Sequence, residues 1–154
     1  MARADFKFFH GLRVRYSEID AQGIVFNAHY LTYFDTAIYE YLRTLAFDYH
    51  SHVGDSGQDF HAVKAMVEFH RPCRFDDEID VGVRVARLGR SSITFHLEVL
   101  LKDGIDPHAS GQVIWVNADQ QSGKSARLPA QLVESIKLYE DLPARPSSIA
   151  LLDC

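Results

Sequence analysis

The sequence predicts an α+β fold in which one antiparallel sheet wraps around a single long helix. Two observations lead to this prediction. Apolar residues recur at helical spacing from about residue 28 to residue 47, and later segments alternate apolar and polar residues as half-buried strands do. A helix that is apolar around most of its circumference needs to be enclosed, and a sheet with one apolar face needs a cover, so each is expected to bury the other.

The elements are expected in a simple order. A short strand ends near Asp20, and the long helix follows it. The polar stretch from His50 to Asp59, with its glycines, indicates a loop. Further strands are predicted around residues 63–69, 79–85, 93–102 and 112–116. The last of these is apolar on both faces and is therefore expected to be central. A short amphipathic helix is predicted after Pro129.

Size and composition indicate an ordinary globular chain. Its 154 residues fit a single domain, with a core from about residue 10 to residue 140 and an irregular C-terminal tail. A formal net charge of −5 argues against nucleic-acid binding as the main role. Cys73 and Cys154 make neither a disulfide framework nor a metal-ligand spacing. Because no secretory signal and no membrane-spanning apolar run are found, we expect a soluble, cytoplasmic protein.

The stretch RYSEIDAQGIVFNAHYLTYFDTA, from Arg15 to Ala37, contains the candidate site. Glu18 and Asp20 precede a glycine at the start of the long helix, where an acid often acts only as a cap or turn residue. On a strand the two acids would share one face, where repulsion could raise the pKa of Asp20, although a solvated edge acid is an equally good reading of Glu18. Gly23 permits a tight turn with positive φ, and the N–H groups at the helix start favour negative charge.

The segment Arg13 to Tyr30 resembles the active-site segment of the 4-hydroxybenzoyl-CoA thioesterase family, acyl-CoA thioesterases with the hot-dog fold. The matching residues are Arg13, Val14, Asp20, Gly23, Ile24, Val25 and Tyr30. The resemblance continues through VEFHRPCRFDDEIDV and LGRSSITF, to about Leu132. Ile19 stands where the family usually has Thr or Cys, and Asn27 where it has an aromatic residue or His.

The resemblance implies an enzyme that hydrolyses an acyl-CoA to the free acid and CoA, without a metal or cofactor. Asp20 would be the nucleophile or general base, and the backbone amide of Asn27 would polarise the thioester carbonyl. Gly23, His29 and Tyr30 would shape the site. The resemblance also implies a homodimer or homotetramer, with the pantetheine tunnel at a subunit interface.

Basic residues provide candidates for the nucleotide end of CoA. Arg90, Ser91 and Ser92 follow a glycine between two strands, where a guanidinium and hydroxyls could contact phosphates. Other basic residues with a weaker case are Arg71, Arg74, Lys124 and Arg127.

Two other functions remain open from the sequence. A hydratase or dehydratase could share the fold, and a non-catalytic acyl-CoA or lipid sensor could keep the pocket without turnover. The segment GDSG at residues 54–57 resembles a serine-protease nucleophile segment, but the chain is too short for the two-barrel fold of those enzymes, so a turn is the preferred interpretation. The eight histidines lack a metal-ligand spacing. The acyl group itself is not indicated, since aromatic residues on a central helix are typical of a core.

Overall fold

The computed structural model describes residues 3–143, so Cys154 and the predicted tail from residue 144 onward lie outside the described residues. Its strands and α-helices are β1 (Phe8–Arg13), α1 (His29–Thr44), α2 (Tyr49–Ser56), β2 (Gln58–Phe69), β3 (Glu78–Leu88), β4 (Ser92–Leu101), β5 (Pro107–Asp119) and α3 (Ala130–Glu140). Short 3₁₀ turns occupy Arg3–Asp5 and Tyr16–Glu18.

The five strands form one antiparallel sheet in the order β1-β3-β4-β5-β2. This confirms the predicted α+β fold, and β5 is an interior strand as expected from its apolar pattern. The alternating residues of β3 and β4 bury one face of the sheet against α1, and the fully buried side chains on those strands include Val81, Val83, Ile93, Phe95, Leu97 and Val99.

Helix α1 is enclosed on one side only. Phe34, Ala37 and Ile38 have no exposed surface, whereas Leu31 is 43% exposed. The expectation that the helix is enclosed all round is therefore wrong for the single chain, because the sheet covers one side of the helix and leaves the other open.

A glycine lies where the sheet and the helix approach each other closely. A Cβ atom added to Gly111 on β5 would lie 2.3 Å from Cε2 of Phe34 and 2.4 Å from the carbonyl oxygen of Met66 on β2. Real Cβ atoms do not approach other atoms so closely, so only glycine lets α1, β5 and β2 meet at this point.

The first strand ends earlier than the sequence indicates. It stops at Arg13, and the chain then enters a 3₁₀ turn instead of continuing extended to Asp20. The side chain of Glu18 accepts a hydrogen bond from the backbone N–H of Arg15 at 2.8 Å, which closes this turn. The prediction of a short strand that contains Val14 and Tyr16 and ends near Asp20 is therefore wrong.

The predicted loop between His50 and Asp59 is mostly helical. Asp48 caps α2 by accepting a hydrogen bond from the backbone N–H of Ser51 at 3.0 Å, and Gly57 ends the helix with φ of 67°. The strand after it also departs from simple alternation, since a bulge between Ala62 and Lys64 leaves Val63 61% exposed.

Candidate functional site

The candidate site is built on a tight hairpin between β1 and α1. Asp20 donates its backbone N–H to the carbonyl of Ile24 at 2.9 Å and accepts a hydrogen bond from the N–H of Gly23 at 2.9 Å. Gly23 has φ of 77°, which completes the pattern of a three-residue hairpin loop and meets the expectation of a positive φ. Ile19 and Val25 pair across the hairpin. The turn thus fixes the position of Asp20 relative to the start of α1.

The carboxylate of Asp20 lies at the tip of this hairpin, and its side chain is half-buried. Its Oδ1 accepts a hydrogen bond from the backbone N–H of Gln22 at 2.8 Å. Within residues 3–143, Oδ2 has no hydrogen-bond partner. One oxygen orients the group, and the other is available to a reactant.

The backbone at Asn27 offers a hydrogen-bond donor. Its carbonyl accepts a bond from the N–H of Tyr30 at 3.3 Å, but its own N–H has no hydrogen-bond partner in the described part of the chain. Asn27 is exposed and lies two residues before α1 begins at His29. Its N–H lies one residue before the N-cap, Ala28, so it is close to the helix N-terminus, where the helix dipole adds partial positive charge.

His29 and Tyr30, predicted to shape the site, occupy different environments. The N–H of His29 bonds to the carbonyl of Phe26 at 2.9 Å, and the His29 and Phe26 rings lie 6.0 Å apart. Tyr30 is only 3% exposed, and its ring lies 5.3 Å from that of Phe69 at the end of β2. Burial raises the pKa of Tyr30, so its hydroxyl stays protonated at neutral pH. The candidate site therefore borders the free edge of the sheet.

The segment between β2 and β3 supports the hairpin from behind. The N–H of Val25 bonds to the carbonyl of Cys73 at 2.8 Å, and Ile24 pairs with Arg74. Burial raises the pKa of Cys73 to about 11, so this thiol is not a thiolate nucleophile at neutral pH. Its role beside the site is packing.

Glu18 points into the protein, and its side chain does not share an exposed face with Asp20. It is 5% exposed and accepts hydrogen bonds from the Arg15 side chain and from the hydroxyl of Tyr33. The alternatives of a solvated edge acid and of an acid that acts on Asp20 from the same strand face are therefore both wrong. The reason is the 3₁₀ turn, which rotates Glu18 inward.

A basic groove of about 580 Å³ lies between the β3–β4 turn and α3. Its basic lining residues are Arg87, Arg90, Arg127 and Lys137. Of the predicted CoA-binding residues, Arg90 lines this groove, whereas Ser91 and Ser92 do not line it. Arg87 and Lys137 give no signal in the sequence because they are distant along the chain and come together only when α3 packs beside the turn.

A fully buried asparagine holds the walls of this basic groove together. Asn117 donates its backbone N–H to the carbonyl of Ser91 at 2.8 Å and its side-chain Nδ2 to the carbonyl of Arg127 at 3.1 Å. Its Oδ1 pairs with Nε2 of His52 at 3.0 Å, and Nδ2 also bonds to Gln58. Because both Nδ2 hydrogens are used, the ring nitrogen of His52 is the donor to Oδ1.

Among the described residues, the histidines take part in no metal-ligand cluster, and the GDSG segment lies at the end of a helix. Between residues 3 and 143, no three His, Cys, Asp or Glu side chains cluster as metal ligands would. In the same range no helix is long and apolar enough to cross a membrane. The GDSG segment covers the end of α2 and its glycine cap, where all four residues are exposed.

Comparison with known proteins finds relatives among esterases and thioesterases. A family model described as the thioesterase superfamily matches residues 22–107. The chain is 32% identical over 130 residues to a protein of Aquifex aeolicus named "Putative esterase", covering 84% of this chain and 98% of the relative. It is 25% identical over 126 residues to the acyl-CoA thioester hydrolase YbgC of Escherichia coli O6:H1, covering 82% of this chain and 92% of that protein.

A solved structure resembles the whole described fold. It is that of a thioesterase from Thermus thermophilus complexed with coenzyme A and Zn, with a TM-score of 0.74 and 28% sequence identity, covering 91% of this chain and 98% of that one. The matching family model, the extent of these alignments and the shared sheet and helix together show that this chain belongs to the thioesterase superfamily, with a hot-dog fold and thioester hydrolase activity.

Proposed function

We propose that this chain hydrolyses an acyl-CoA thioester to the free acid and CoA, with Asp20 as nucleophile or general base and the N–H of Asn27 as donor to the thioester oxygen. The observation that carries the proposal is a pair of polar groups without hydrogen-bond partners, one in the hairpin and one directly after it. Oδ2 of Asp20 and the N–H of Asn27 are both unpaired within residues 3–143, while the hairpin between them is held by backbone hydrogen bonds.

The chemistry needs both groups. In one route, Oδ2 attacks the carbonyl carbon, the C–S bond breaks, and the sulfur leaves as CoA thiolate. Water then hydrolyses the resulting mixed anhydride, which restores the Asp20 carboxylate, releases the acid and supplies the proton that converts the thiolate to CoA thiol. In the other route, Asp20 takes a proton from the attacking water and returns it to the leaving sulfur. Both routes place negative charge on the carbonyl oxygen, which a backbone N–H at a helix start stabilises.

The basic groove is the proposed site for the phosphates of CoA. Three arginines and one lysine line it, against a single acidic side chain, Glu134. Arginine side chains bind phosphates through paired N–H donors, and positive charge attracts the polyanionic end of the substrate. The thioesterase of Thermus thermophilus that shares the fold was solved with coenzyme A.

A homodimer formed along β2 would complete the site. β2 is an edge strand of the sheet, and its residues Val63, Met66 and Phe69 are 61%, 42% and 55% exposed. A long exposed apolar edge invites pairing with another strand. Because Phe69 contacts Tyr30, a partner on this edge would also border the Asp20 hairpin.

The activity test is release of CoA thiol from short, long and aromatic acyl-CoAs by wild type, Asp20→Asn and a matched control, Asp103→Asn. Asp103 lies in an exposed turn between β4 and β5. We expect turnover on at least one acyl-CoA, a loss of ~10²-fold or more in Asp20→Asn, and no such loss in the control. Binding of acyl-CoA without turnover by wild type would instead support a non-catalytic sensor. Hydration of an enoyl-CoA without thiol release would support the hydratase.

The groove and the dimer have tests of their own. Arg90→Ala should raise KM for acyl-CoA and leave kcat within about twofold, because the phosphates are remote from the reacting carbonyl. Val63→Lys and Met66→Lys should shift the molecular mass in solution toward that of one chain. An unchanged KM would remove Arg90 from the binding site, and an unchanged mass would place any interface elsewhere than on β2.

A further inference from the structure

Glu18 is a buried carboxylate that the proposed chemistry does not use. Oε1 accepts hydrogen bonds from the backbone N–H of Arg15 at 2.8 Å and from the Tyr33 hydroxyl at 3.0 Å. Oε2 accepts from the guanidinium of Arg15, at 3.3 Å from Nε and 3.0 Å from Nη2. A carboxylate that is 5% exposed is costly to bury, so this full set of donors is what stabilises it there.

The backbone of Glu18 reaches the other side of the site. Its carbonyl accepts a hydrogen bond from the N–H of Phe26 at 2.9 Å, directly before Asn27. Its side chain meanwhile reaches Tyr33, in the second turn of α1. One residue therefore joins three parts of the site: the turn that precedes Asp20, the segment that presents Asn27, and the helix behind both.

The charge of Glu18 is stabilised by the same contacts. Burial raises the pKa of this carboxyl, but the N–H groups of Arg15 and the hydroxyl of Tyr33 outweigh burial and hold the pKa below its usual range. Glu18 is therefore ionised at neutral pH, when charge-assisted hydrogen bonds are strongest.

We propose that Glu18 is a positioning residue whose buried carboxylate, through Tyr33 and Arg15, fixes the spacing between Asp20 and the N–H of Asn27. This inference rests on the proposed function, because it assigns Glu18 to the same hairpin. Catalysis depends on such spacing, since a shift of about 1 Å between reacting groups costs up to ~10²-fold in rate. The carboxylate itself touches neither substrate nor reacting atoms in this assignment.

Helix α1 offers a matched control for this contact. Tyr41, two turns further along the same helix, donates its hydroxyl to Glu140 on α3, also at 3.0 Å. Both tyrosines are buried, and both bonds run from a phenol to a carboxylate. Tyr33→Phe and Tyr41→Phe therefore remove the same kind of bond from the same helix, but only Tyr33→Phe loosens the Asp20 hairpin.

The experiment compares kcat, KM and thermal stability for Tyr33→Phe, Tyr41→Phe, Glu18→Gln and the double variant Glu18→Gln with Tyr33→Phe. We expect the two tyrosine variants to lose similar stability, but only Tyr33→Phe to lose ~10-fold or more in kcat with KM changed less than about twofold. The kcat of the double variant should be only slightly lower than that of the less active single variant, because Glu18→Gln and Tyr33→Phe each disrupt the same contact between Glu18 and Tyr33. An equal loss of kcat in both tyrosine variants would overturn the proposal and assign Glu18 a purely structural role.

A second readout does not depend on turnover. The amide hydrogen of Phe26, which bonds to Glu18, should exchange with solvent faster in Tyr33→Phe than in wild type and should be unchanged in Tyr41→Phe. If wild type hydrolyses no acyl-CoA, the proposed function fails, while faster exchange would still show that Tyr33 and Glu18 fix the hairpin. Unchanged exchange of Phe26 in Tyr33→Phe would refute the positioning role whatever the activity.

Discussion

Replacing Gly111 with alanine tests how tightly the sheet wraps around α1. The added Cβ would lie 2.3 Å from the Phe34 ring and 2.4 Å from the carbonyl oxygen of Met66. Ordinary contacts between carbon atoms lie near ~3.5–4.0 Å, so both neighbours are more than ~1 Å too close. The ring can rotate only within a packed core, and the carbonyl is part of the β2–β5 pairing. The strand itself must move.

The cost follows from this overlap. Inserting one methyl group into a packed site costs roughly 1–3 kcal/mol. For a chain of this size, each kcal/mol lowers the melting temperature by ~2–4 °C, so Gly111→Ala should melt ~2–12 °C below wild type. Differential scanning calorimetry of the two proteins at equal concentration measures the difference.

Gly54 supplies the matched control. It lies inside α2, is exposed, and has no atom within 4 Å of an added Cβ. Gly54→Ala should therefore gain roughly 0.5–1 kcal/mol, because alanine is the better helix former. If Gly111→Ala melts within about 1 °C of wild type, the close approach of α1, β5 and β2 is wrong. Equal destabilisation by both alanines would show that the effect is not local to Gly111.

Three further predictions rest on buried polar groups. Asn117→Ala should lower the free energy of unfolding by at least ~1–3 kcal/mol, because the change leaves His52 and two carbonyls without their hydrogen-bond partner. Urea unfolding measures this difference, and a loss below ~0.5 kcal/mol would contradict the prediction. The pKa of Glu18 is lower in the folded protein than in the unfolded chain. The ionised carboxyl therefore adds to the stability of the fold at pH values above the unfolded pKa, and this contribution is lost as pH falls through the folded pKa. As pH is lowered from about 7 to 3, the urea midpoint of unfolding should therefore fall less steeply in Glu18→Gln than in wild type. Parallel curves for the two proteins would show that this carboxyl does not contribute to the pH dependence of stability. In a variant with Cys154 replaced by serine, Cys73 should react with iodoacetamide at pH 8 only after the protein unfolds, because burial and a pKa of about 11 both protect the thiol. Rapid reaction of Cys73 in the folded protein would refute this prediction.

Periodicity was sufficient for the long elements. The helix around α1 and the strands of the sheet are predicted by apolar spacing alone, because each buries one face along its whole length. The two errors in secondary structure fall where side-chain hydrogen bonds decide the backbone conformation. Asp48 caps α2 and Glu18 closes a 3₁₀ turn, and in both places polar residues at non-periodic positions make a helix look like a loop or a strand.

The candidate site was predictable only in part. Asp20, Gly23 and Asn27 follow from the resemblance of one contiguous segment, and the hairpin that joins them is local in sequence. The basic groove and the Glu18 contacts depend on residues brought together by packing over long sequence distances. Asn117 gave no signal because one polar residue at the end of an apolar strand is ordinary until its partners are known.

The role of Asp20 is tested most directly by the single-turnover rate of Asp20→Asn with enzyme in excess over its best acyl-CoA, together with the Kd for that substrate. These conditions separate the chemical step from product release. We expect an unchanged Kd and a rate lower than that of wild type by ~10²-fold or more. A rate within about threefold of wild type at unchanged Kd would show that Asp20 is not the group that attacks the thioester or activates water.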